Sequence, residues 1–287
     1  MSEILETIRL FGPAFAGSLL VALACALLGV HVVGRRIVLI GVALPQVAAA
    51  GIGLSFLAET VAWTAPGTAL AFARRHDVMA VLGSAAGAAL LMGRPGARRV
   101  RAEVVGGAVY CVAAALSVLF VLNTAQGMEE VRNLVAGDIL GIHDEALRGL
   151  ALLVLPVVLL LLLLGRRLLF VSFDPEMAST LGIRTRLYDL LFFAGLALVV
   201  ARGVHATGLL FVFSFLLLPA AAAMQVARTP AGILGGAAAA ALAAAAAGFL
   251  VAASPGLDWP VGPTATVAAF VLCLACRGLG AIRARQA

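Results

Sequence analysis

Long apolar blocks alternate with short polar segments along most of this chain. Nine blocks have the length and composition of membrane-spanning helices, because the hydrocarbon core of a bilayer takes about 20 apolar residues of helix. The nine predicted spans are Pro13–Val33, Ile37–Leu57, Val78–Gly93, Val104–Leu122, Ala146–Gly165, Leu187–Ala201, Ala206–Val226, Ala231–Ala252 and Val261–Cys276. The pattern predicts an all-α, polytopic membrane bundle that occupies residues 1–287 as one domain. Eight crossings are the alternative, with the short block Val78–Gly93 re-entrant.

Composition supports a membrane protein and excludes a soluble enzyme. Of the 287 residues, 63% are hydrophobic and 12% are charged, whereas a soluble domain carries about 25% charged residues. The longest polar interruption, Glu59–Asp77, is itself broken by the apolar run ALAF. Since no segment could form a catalytic or nucleotide-binding domain, we expect that the chain is not an enzyme. Energy for transport would come from a gradient or from another polypeptide.

The charged residues predict an orientation in the membrane. All 20 basic residues are arginine. If the turn with Arg35 and Arg36 is cytoplasmic, fourteen arginines lie inside and six outside, and the external loops are net acidic. The positive-inside rule then places the N-terminus outside and the C-terminus in the cytoplasm. Because the arginines serve to orient helices, the net charge of +6 does not indicate a nucleic-acid partner.

One polar stretch between two apolar blocks, FDPEMASTLGIRTR, has the signals of a short helix. Asp174 is a good N-cap, Pro175 suits the first helical position, and Glu176 favours the positive end of the helix dipole. Gly182 stands where a left-handed residue would end the helix. We therefore predict a helix of about two turns at 174–182 on the cytoplasmic side.

This predicted helix presents an apolar face that needs a partner. Met177 and Leu181 lie four residues apart, and therefore on one face, with Ile183 just beyond. Such a short helix cannot bury that face alone. Either it docks into a groove of another protein, or it is an ordinary loop helix that lies at the membrane interface.

The motif Glu176-x-Ala178-x-x-x-Gly182 resembles the cytoplasmic coupling loop of ABC-transporter permeases. The longer stretch FDPEMASTLGIRTRLYDLLF is similar to permeases of the bacterial zinc, manganese and iron ABC importers. Three further stretches resemble the same family in the same order along the chain: LLGVHVVGRRIVLIGVALPQVAAAGIGLSFL, TGLLFVFSFLLLPAAAAMQVARTP and DWPVGPTATVAAFVL. The chain is thus identified as a divergent member of the ABC-3 metal permease family.

The resemblance implies a function and a set of partners. It implies a multi-pass permease in the bacterial inner membrane that imports a divalent transition metal, zinc or manganese foremost, and binds no cofactor of its own. It also implies a cytoplasmic ABC ATPase, an extracytoplasmic metal-binding protein and a second permease copy or related chain. The residues that would face the ATPase are Asp174, Glu176, Met177, Ala178, Leu181 and Gly182.

The sequence departs from the family where metal ligands are expected. The family usually reads Gly-Asp-Ala-Leu-Ser-His after its first basic turn, but this chain has Val42 at the Asp position and Gln46 at the His position. Carboxylate and imidazole are natural ligands of Mn²⁺ and Zn²⁺, whereas valine cannot bind metal. Gln46, His205 and Asp138 are the predicted path residues, and the metal ligands stay unassigned.

Other polar residues favour structural roles. His31 is expected to pack in the bundle or near the interface, and Asp189 to pair with Arg184 or Arg186. Cys273 and Cys276 form a C-x-x-C motif without further ligands nearby, so they are interpreted as packing residues.

Two other functions stay open at this point. A permease for iron chelates or corrinoids would tolerate the missing Asp and His. A gradient-driven secondary transporter would need inverted repeats and a buried charge near mid-membrane, and the sequence shows neither.

Overall fold

The computed structural model describes residues 11–64, 76–91, 99–122, 127–137, 139–254 and 259–286. Every regular element within these ranges is helical. The α-helices are α1 (Gly12–Gly34), α2 (Val38–Thr64), α3 (His76–Leu91), α4 (Arg99–Leu122), α5 (Gly127–Ala136), α6 (Asp144–Phe173), α7 (Pro175–Thr180), α8 (Thr185–Thr207), α9 (Leu209–Val226), α10 (Pro230–Ala252) and α11 (Val261–Gln286). A single 3₁₀ turn, Ile139–Gly141, precedes α6. The predicted all-α membrane bundle is confirmed.

Eight helices are long and apolar enough to cross a membrane: α1, α2, α4, α6, α8, α9, α10 and α11. The shorter α3 has 16 residues, which at 1.5 Å per residue span roughly 24 Å of the roughly 30 Å core. It runs antiparallel to α2, since Gly51 faces the backbone of Met79 whereas Gly87 faces Leu44. The described chain therefore holds eight long helices and one short one, in agreement with the predicted eight to nine.

Some predicted span edges were wrong. The span Ala146–Gly165 extends to α6, so Arg166 and Arg167 lie within a helix rather than in a loop. Arginines near a helix end can hold their charged heads towards the interface, so they do not end the helix. The helix ends only before Pro175, because the residue that precedes a proline disfavours helical angles.

A second edge was wrong between the next two helices. The span predicted to begin at Ala206 begins at Leu209. The chain instead stays in α8 through Thr207 and breaks at Gly208, whose φ of 84° is left-handed.

Helix α1 forms the centre of the bundle. It contacts α6, α8, α9 and α10, and 72% of the residues in its most apolar 18-residue segment are buried. The closest approach is to α9, where a Cβ on Gly29 would overlap the carbonyl oxygen of Leu216. Small residues allow such backbone contact, which matters in lipid because apolar surfaces gain little there by meeting.

The outer helices keep large apolar side chains exposed. In the most apolar 18-residue segments of α4 and α11, only 22% of the residues are buried. Side chains more than half exposed include Val112, Leu119, Val267 and Phe270. Such faces match a lipid environment. The alanine-rich α10 packs on α11, where Gly248 meets Ala265.

The helices place two groups of residues at opposite ends of the bundle. At the α7 end, residues after α1 contact the end of α6 and the start of α8. At the far end, Gly137, Gly208 and Gly262 lie together after α5, between α8 and α9, and at the start of α11.

The α10–α11 crossing gives a stability prediction. Gly248→Ala would place a methyl group onto the Ala265 backbone, and such overpacking costs about 1–3 kcal/mol. We expect a lower midpoint of thermal unfolding, measured in detergent by fluorescence-detected size exclusion. The matched control is Gly235→Ala on the same helix, where a Cβ meets nothing within 4 Å. An equal midpoint of thermal unfolding for the two variants would contradict the close packing of Gly248 on Ala265.

Candidate functional site

Helix α7 begins as its sequence predicts. The Asp174 carboxylate accepts a hydrogen bond from the Met177 backbone N–H at 2.9 Å, and Pro175 occupies the first helical position. The cap satisfies one of the N–H groups that a helix start leaves without an internal partner. Glu176 lies in the first turn, where its charge complements the helix dipole.

The end of α7 is a complete Schellman motif. The Ile183 N–H bonds the Ala178 carbonyl and the Gly182 N–H bonds the Ser179 carbonyl, both at 3.1 Å. Gly182 has a φ of 77°, and a Cβ there would meet no atom within 4 Å. The glycine is therefore needed for its backbone angle and not for space.

The two faces of α7 differ in exposure. Ala178 is fully buried against the bundle, whereas Met177 is 53% and Leu181 is 63% exposed. Glu176 is exposed as well. A six-residue helix with one face fixed and an apolar face exposed is suited to docking into a groove of another molecule.

The residues that flank α7 form a partly buried polar cluster, and one prediction there was wrong. Asp189 pairs with Arg35, Nη1 to Oδ1 at 2.5 Å, and not with Arg184 or Arg186. Arg184 and Arg186 are closer to Asp189 in sequence, at five and three residues. Folding, however, brings the end of α1 alongside the start of α8. Sequence spacing gives no signal for a pair 154 residues apart.

Gln46 lies on α2 and is buried. Its Nε2 donates to the Ser117 Oγ of α4 at 2.9 Å, and Ser117 in turn donates to the Ala114 carbonyl. The pair lines a cavity of about 60 Å³, which is large enough for water. Helix α2 continues through Pro45 without a break.

His205 lies in the last turn of α8 and is exposed at the far end. It lines a cavity of about 290 Å³ together with Arg202 and Asn133. Leu134 of α5 lines both this outer cavity and the Gln46 cavity. Gln46 and His205 thus line two different cavities that share Leu134 in their walls.

Asp138, the third predicted path residue, lies outside the described residues. Its neighbour Gly137 has a φ of 78°, and a Cβ there would overlap the Thr207 carbonyl group. Gly262 likewise abuts the Ala136 carbonyl oxygen. This glycine junction was missed from the sequence, although Gly208 and Gly262 stand inside stretches that resemble the metal permeases.

The described residues do not form a metal site by themselves. They contain no group of three or more His, Cys, Asp or Glu side chains close enough to hold an ion. In the C-x-x-C motif, Cys273 accepts a weak hydrogen bond from Gln225 Nε2 at 3.7 Å, and both thiols are partly buried in α11. Gln46 and His205 line different cavities and so do not belong to one ligand set.

The family model for the ABC 3 transport family matches residues 7–277. The chain belongs to this family. It is accordingly a membrane transport subunit, and the predicted family is confirmed.

Relatives agree with the family. An uncharacterized membrane protein of Synechocystis is 30% identical over 75% of this chain and 72% of its own length. The manganese import system permease protein ScaB of Streptococcus pneumoniae is 30% identical over 37% of this chain and 38% of its own. The high-affinity zinc uptake system membrane protein ZnuB of Haemophilus influenzae is 28% identical over 50% and 56%. The chain thus spans about two fifths to just over half of these two metal permeases.

A solved structure shows the same fold. PsaBC from Streptococcus pneumoniae, in complex with Fab, aligns with a TM-score of 0.79 over 96% of this chain and 94% of that one. The sequence identity of 18% supports the fold alone.

The end of α7 gives a prediction for Gly182. The methyl group of Gly182→Ala would meet no neighbouring atom. The substitution nevertheless forces alanine into a left-handed backbone conformation, at a cost of about 1–2 kcal/mol. We expect faster amide hydrogen exchange at Leu181–Ile183 than in the wild type. Gly182→Asn is the matched control, because asparagine tolerates this angle better. If alanine exchanged more slowly than asparagine, the need for the left-handed angle would be wrong.

Proposed function

We propose that this chain forms the translocation path of an ABC importer for a divalent transition metal ion, zinc or manganese foremost. An ABC ATPase docks on α7, a binding protein delivers the ion at the far end, and a second permease copy or related chain completes the path. The observation that carries the proposal is α7, which is capped at both ends, anchored through Ala178 and exposed through Met177 and Leu181.

Docking of an ATPase explains the shape of α7. A helix at the membrane surface could bury Met177 and Leu181 in lipid, but the exposed Glu176 beside them favours a protein groove, whose apolar centre has a polar rim. Met177 and Leu181 would fill a groove of the ATPase, while the Asp174 cap and the Gly182 turn keep the helix rigid. Rigidity matters because a docked element transmits movement only if it does not unfold.

The orientation follows from the same assignment. ATP is a cytoplasmic substrate, so the α7 end faces the cytoplasm and the far end faces outside. Arg35, Arg36, Arg166, Arg167, Arg184 and Arg186 all belong to the α7 end, as the positive-inside rule requires. The C-terminal end of α11 then lies on the cytoplasmic side, since this helix starts at the far end.

The path runs from the outer cavity past Leu134 to Gln46. His205 and Asn133 offer nitrogen and oxygen donors in the outer cavity, and Asp138 follows the glycine junction beside it. Gln46 offers a neutral amide oxygen in the inner cavity. Donors of these types suit Zn²⁺ and Mn²⁺, and the manganese and zinc permeases among the relatives support a metal cargo.

A metal chelate is the second candidate cargo. Arg202 lines the outer cavity with His205, and a guanidinium favours an anionic ligand over a bare cation. The volume of about 290 Å³ is at the lower limit of cavities for drug-sized ligands. A small chelate would fit this chain, whereas a corrinoid is too large for this cavity alone.

One prediction tests docking of the ATPase on α7. Leu181→Asp places a charge on the exposed apolar face of α7, so capture of the ABC ATPase by the tagged chain should fall at least about tenfold, as for a central contact residue. Capture is measured by pull-down from membranes that express the ATPase found with the wild-type chain.

The matched control for docking is Leu140→Asp. Leu140 is 45% exposed at the far end, so this variant should capture the ATPase as the wild type does. Equal loss in the two variants would mean that α7 is not the docking element.

The second prediction tests the cargo. ATP-dependent uptake of Zn²⁺, Mn²⁺ and Fe²⁺ is measured in proteoliposomes that hold the chain with its ATPase and binding protein. Gln46→Leu removes the amide that lines the inner cavity and is hydrogen-bonded to Ser117. We expect uptake of the transported ion to fall about tenfold, because the loss of one polar contact of about 1.4 kcal/mol changes an equilibrium by that factor.

Gln225→Leu is the control for the uptake assay. Gln225 bonds the Ala221 carbonyl at the end of α9 and lines neither cavity, so its loss should leave uptake unchanged. If ATP hydrolysis responds to the chain but none of the three ions moves, a metal ion is not the cargo, and uptake of small metal chelates is measured next.

A further inference from the structure

A partly buried polar cluster joins the helices on either side of α7 to the central helix α1. The cluster consists of His31, Arg35, Ser172, Asp189 and Phe192. Ser172 lies two residues before the Asp174 cap, and Asp189 lies in the first turns of α8. Both therefore belong to the two helices that carry α7.

Arg35 connects these two helices. Its Nε donates to the Ser172 Oγ at 3.0 Å, and its Nη1 donates to the Asp189 Oδ1 at 2.5 Å. The guanidinium also lies over the Phe192 ring, 4.6 Å from the centroid. A planar guanidinium can make these three contacts at once, whereas a lysine ammonium cannot reproduce them.

Two further contacts tie the end of α6 to α1. The His31 Nδ1 lies 3.2 Å from the Ser172 Oγ of α6, and the same ring meets Phe192 of α8 edge to face. The Phe173 ring packs on Gly34, where a Cβ would lie 3.2 Å from the ring. The last residues before α7 are thus held by the last turn of α1.

The contacts of α7 itself are few. Apart from Ala178, its side chains are exposed, and it touches the bundle through α6 and α8. Any displacement of α7 must therefore reach the bundle through those two helices. Both meet α1 at Arg35.

The cluster also has unused hydrogen-bonding capacity. Among the described residues, the buried His31 Nε2 and Arg35 Nη2 have no hydrogen-bond partner. Buried polar atoms are nearly always satisfied. These two atoms can gain partners if α6 or α8 shifts, so the cluster is suited to a second arrangement.

We propose that Arg35 is a positioning residue that fixes α7 against α1 and passes displacement of α7 to the centre of the bundle. This inference rests on the proposed function of α7 as the ATPase-docking helix. Helix α1 contacts α9 through Gly29 and Leu216 and also packs on α6, α8 and α10. Movement at Arg35 would therefore reach most of the helices that surround α1.

The first experiment measures amide hydrogen exchange of the full chain in lipid nanodiscs. Arg35→Gln should speed exchange across residues 172–189 by about tenfold, because both anchors are lost. Arg36→Gln is the matched control: it removes the same charge from the next residue, which is exposed. Equal exchange in the two variants would overturn the proposal.

Conservative variants separate the two anchors. Ser172→Ala and Asp189→Asn should each speed exchange less than Arg35→Gln does. Ser172→Thr and Asp189→Glu keep the hydroxyl and the carboxylate, and should restore exchange to near the wild-type rate. If neither Ser172→Thr nor Asp189→Glu restored the exchange rate, the Arg35–Ser172 hydrogen bond and the Arg35–Asp189 ion pair would not be what holds these helices.

The second experiment uses proteoliposomes with the ATPase that the wild-type chain captures. Arg35→Gln should keep ATPase capture within about twofold but lower Mn²⁺ or Zn²⁺ uptake per ATP about tenfold, a usual size for coupling between sites. A residue needed only for folding would lower capture and uptake in parallel, and that result would overturn the proposal.

The two proposals fail in different ways. If the wild-type chain captures no ABC ATPase, the proposed function of α7 is wrong, and the exchange experiment still decides whether Arg35 positions α7. If the wild type captures the ATPase and Arg35→Gln matches Arg36→Gln in exchange and in uptake per ATP, the proposed function stands and the role of Arg35 is wrong.

Discussion

Direct backbone contact between helices at glycine is the constraint on which the rest of this structure depends. Inside a bilayer, apolar side chains gain little by leaving lipid for one another, so helices are held by close approach. Gly29 brings α1 onto the Leu216 carbonyl, and Gly51, Gly248 and Gly262 do the same for other pairs. These contacts fix the depth of α1 in the bundle. They thereby set Arg35 beside Ser172 and Asp189 at the α7 end, and they bring the α5, α8 and α11 junctions together at the far end.

Polar side chains in the bundle form hydrogen bonds of two kinds, either within their own helix or to another helix. Several buried hydroxyls, such as those of Ser18 and Ser214, donate to carbonyls of their own helix, which satisfies them without linking helices. The Gln46–Ser117 pair and the Arg35 cluster instead join different helices. Interhelical polar contacts in a membrane bundle are costly to break on one side only. These two groups lie at the inner cavity and at the base of α7.

The sequence predicts the features that depend on neighbouring residues. The span pattern, the Asp174 cap and the Gly182 turn follow from local periodicity and capping, and the structure has all of them. The features that depend on distant residues were missed. The partner of Asp189 lies 154 residues away, and the overlap of Gly137 with Thr207 depends on how α5 meets α8. The start of α9 was also misplaced by three residues, although Gly208 and the polar Thr207 mark the break in the sequence.

The two cavities explain how a chain with few ligands can still carry an ion. A transport site must bind its cargo well enough to admit it and weakly enough to release it. The amide of Gln46 is a weaker metal ligand than the imidazole that the family has there, so an ion that reaches it would leave readily. Weak binding then requires a separate barrier against leakage. In the proposed path Leu134 would supply this barrier, because its buried side chain lines both the outer cavity and the Gln46 cavity. Passage along that path would then depend on the position of α5, which carries Leu134, more than on the strength of the ligands.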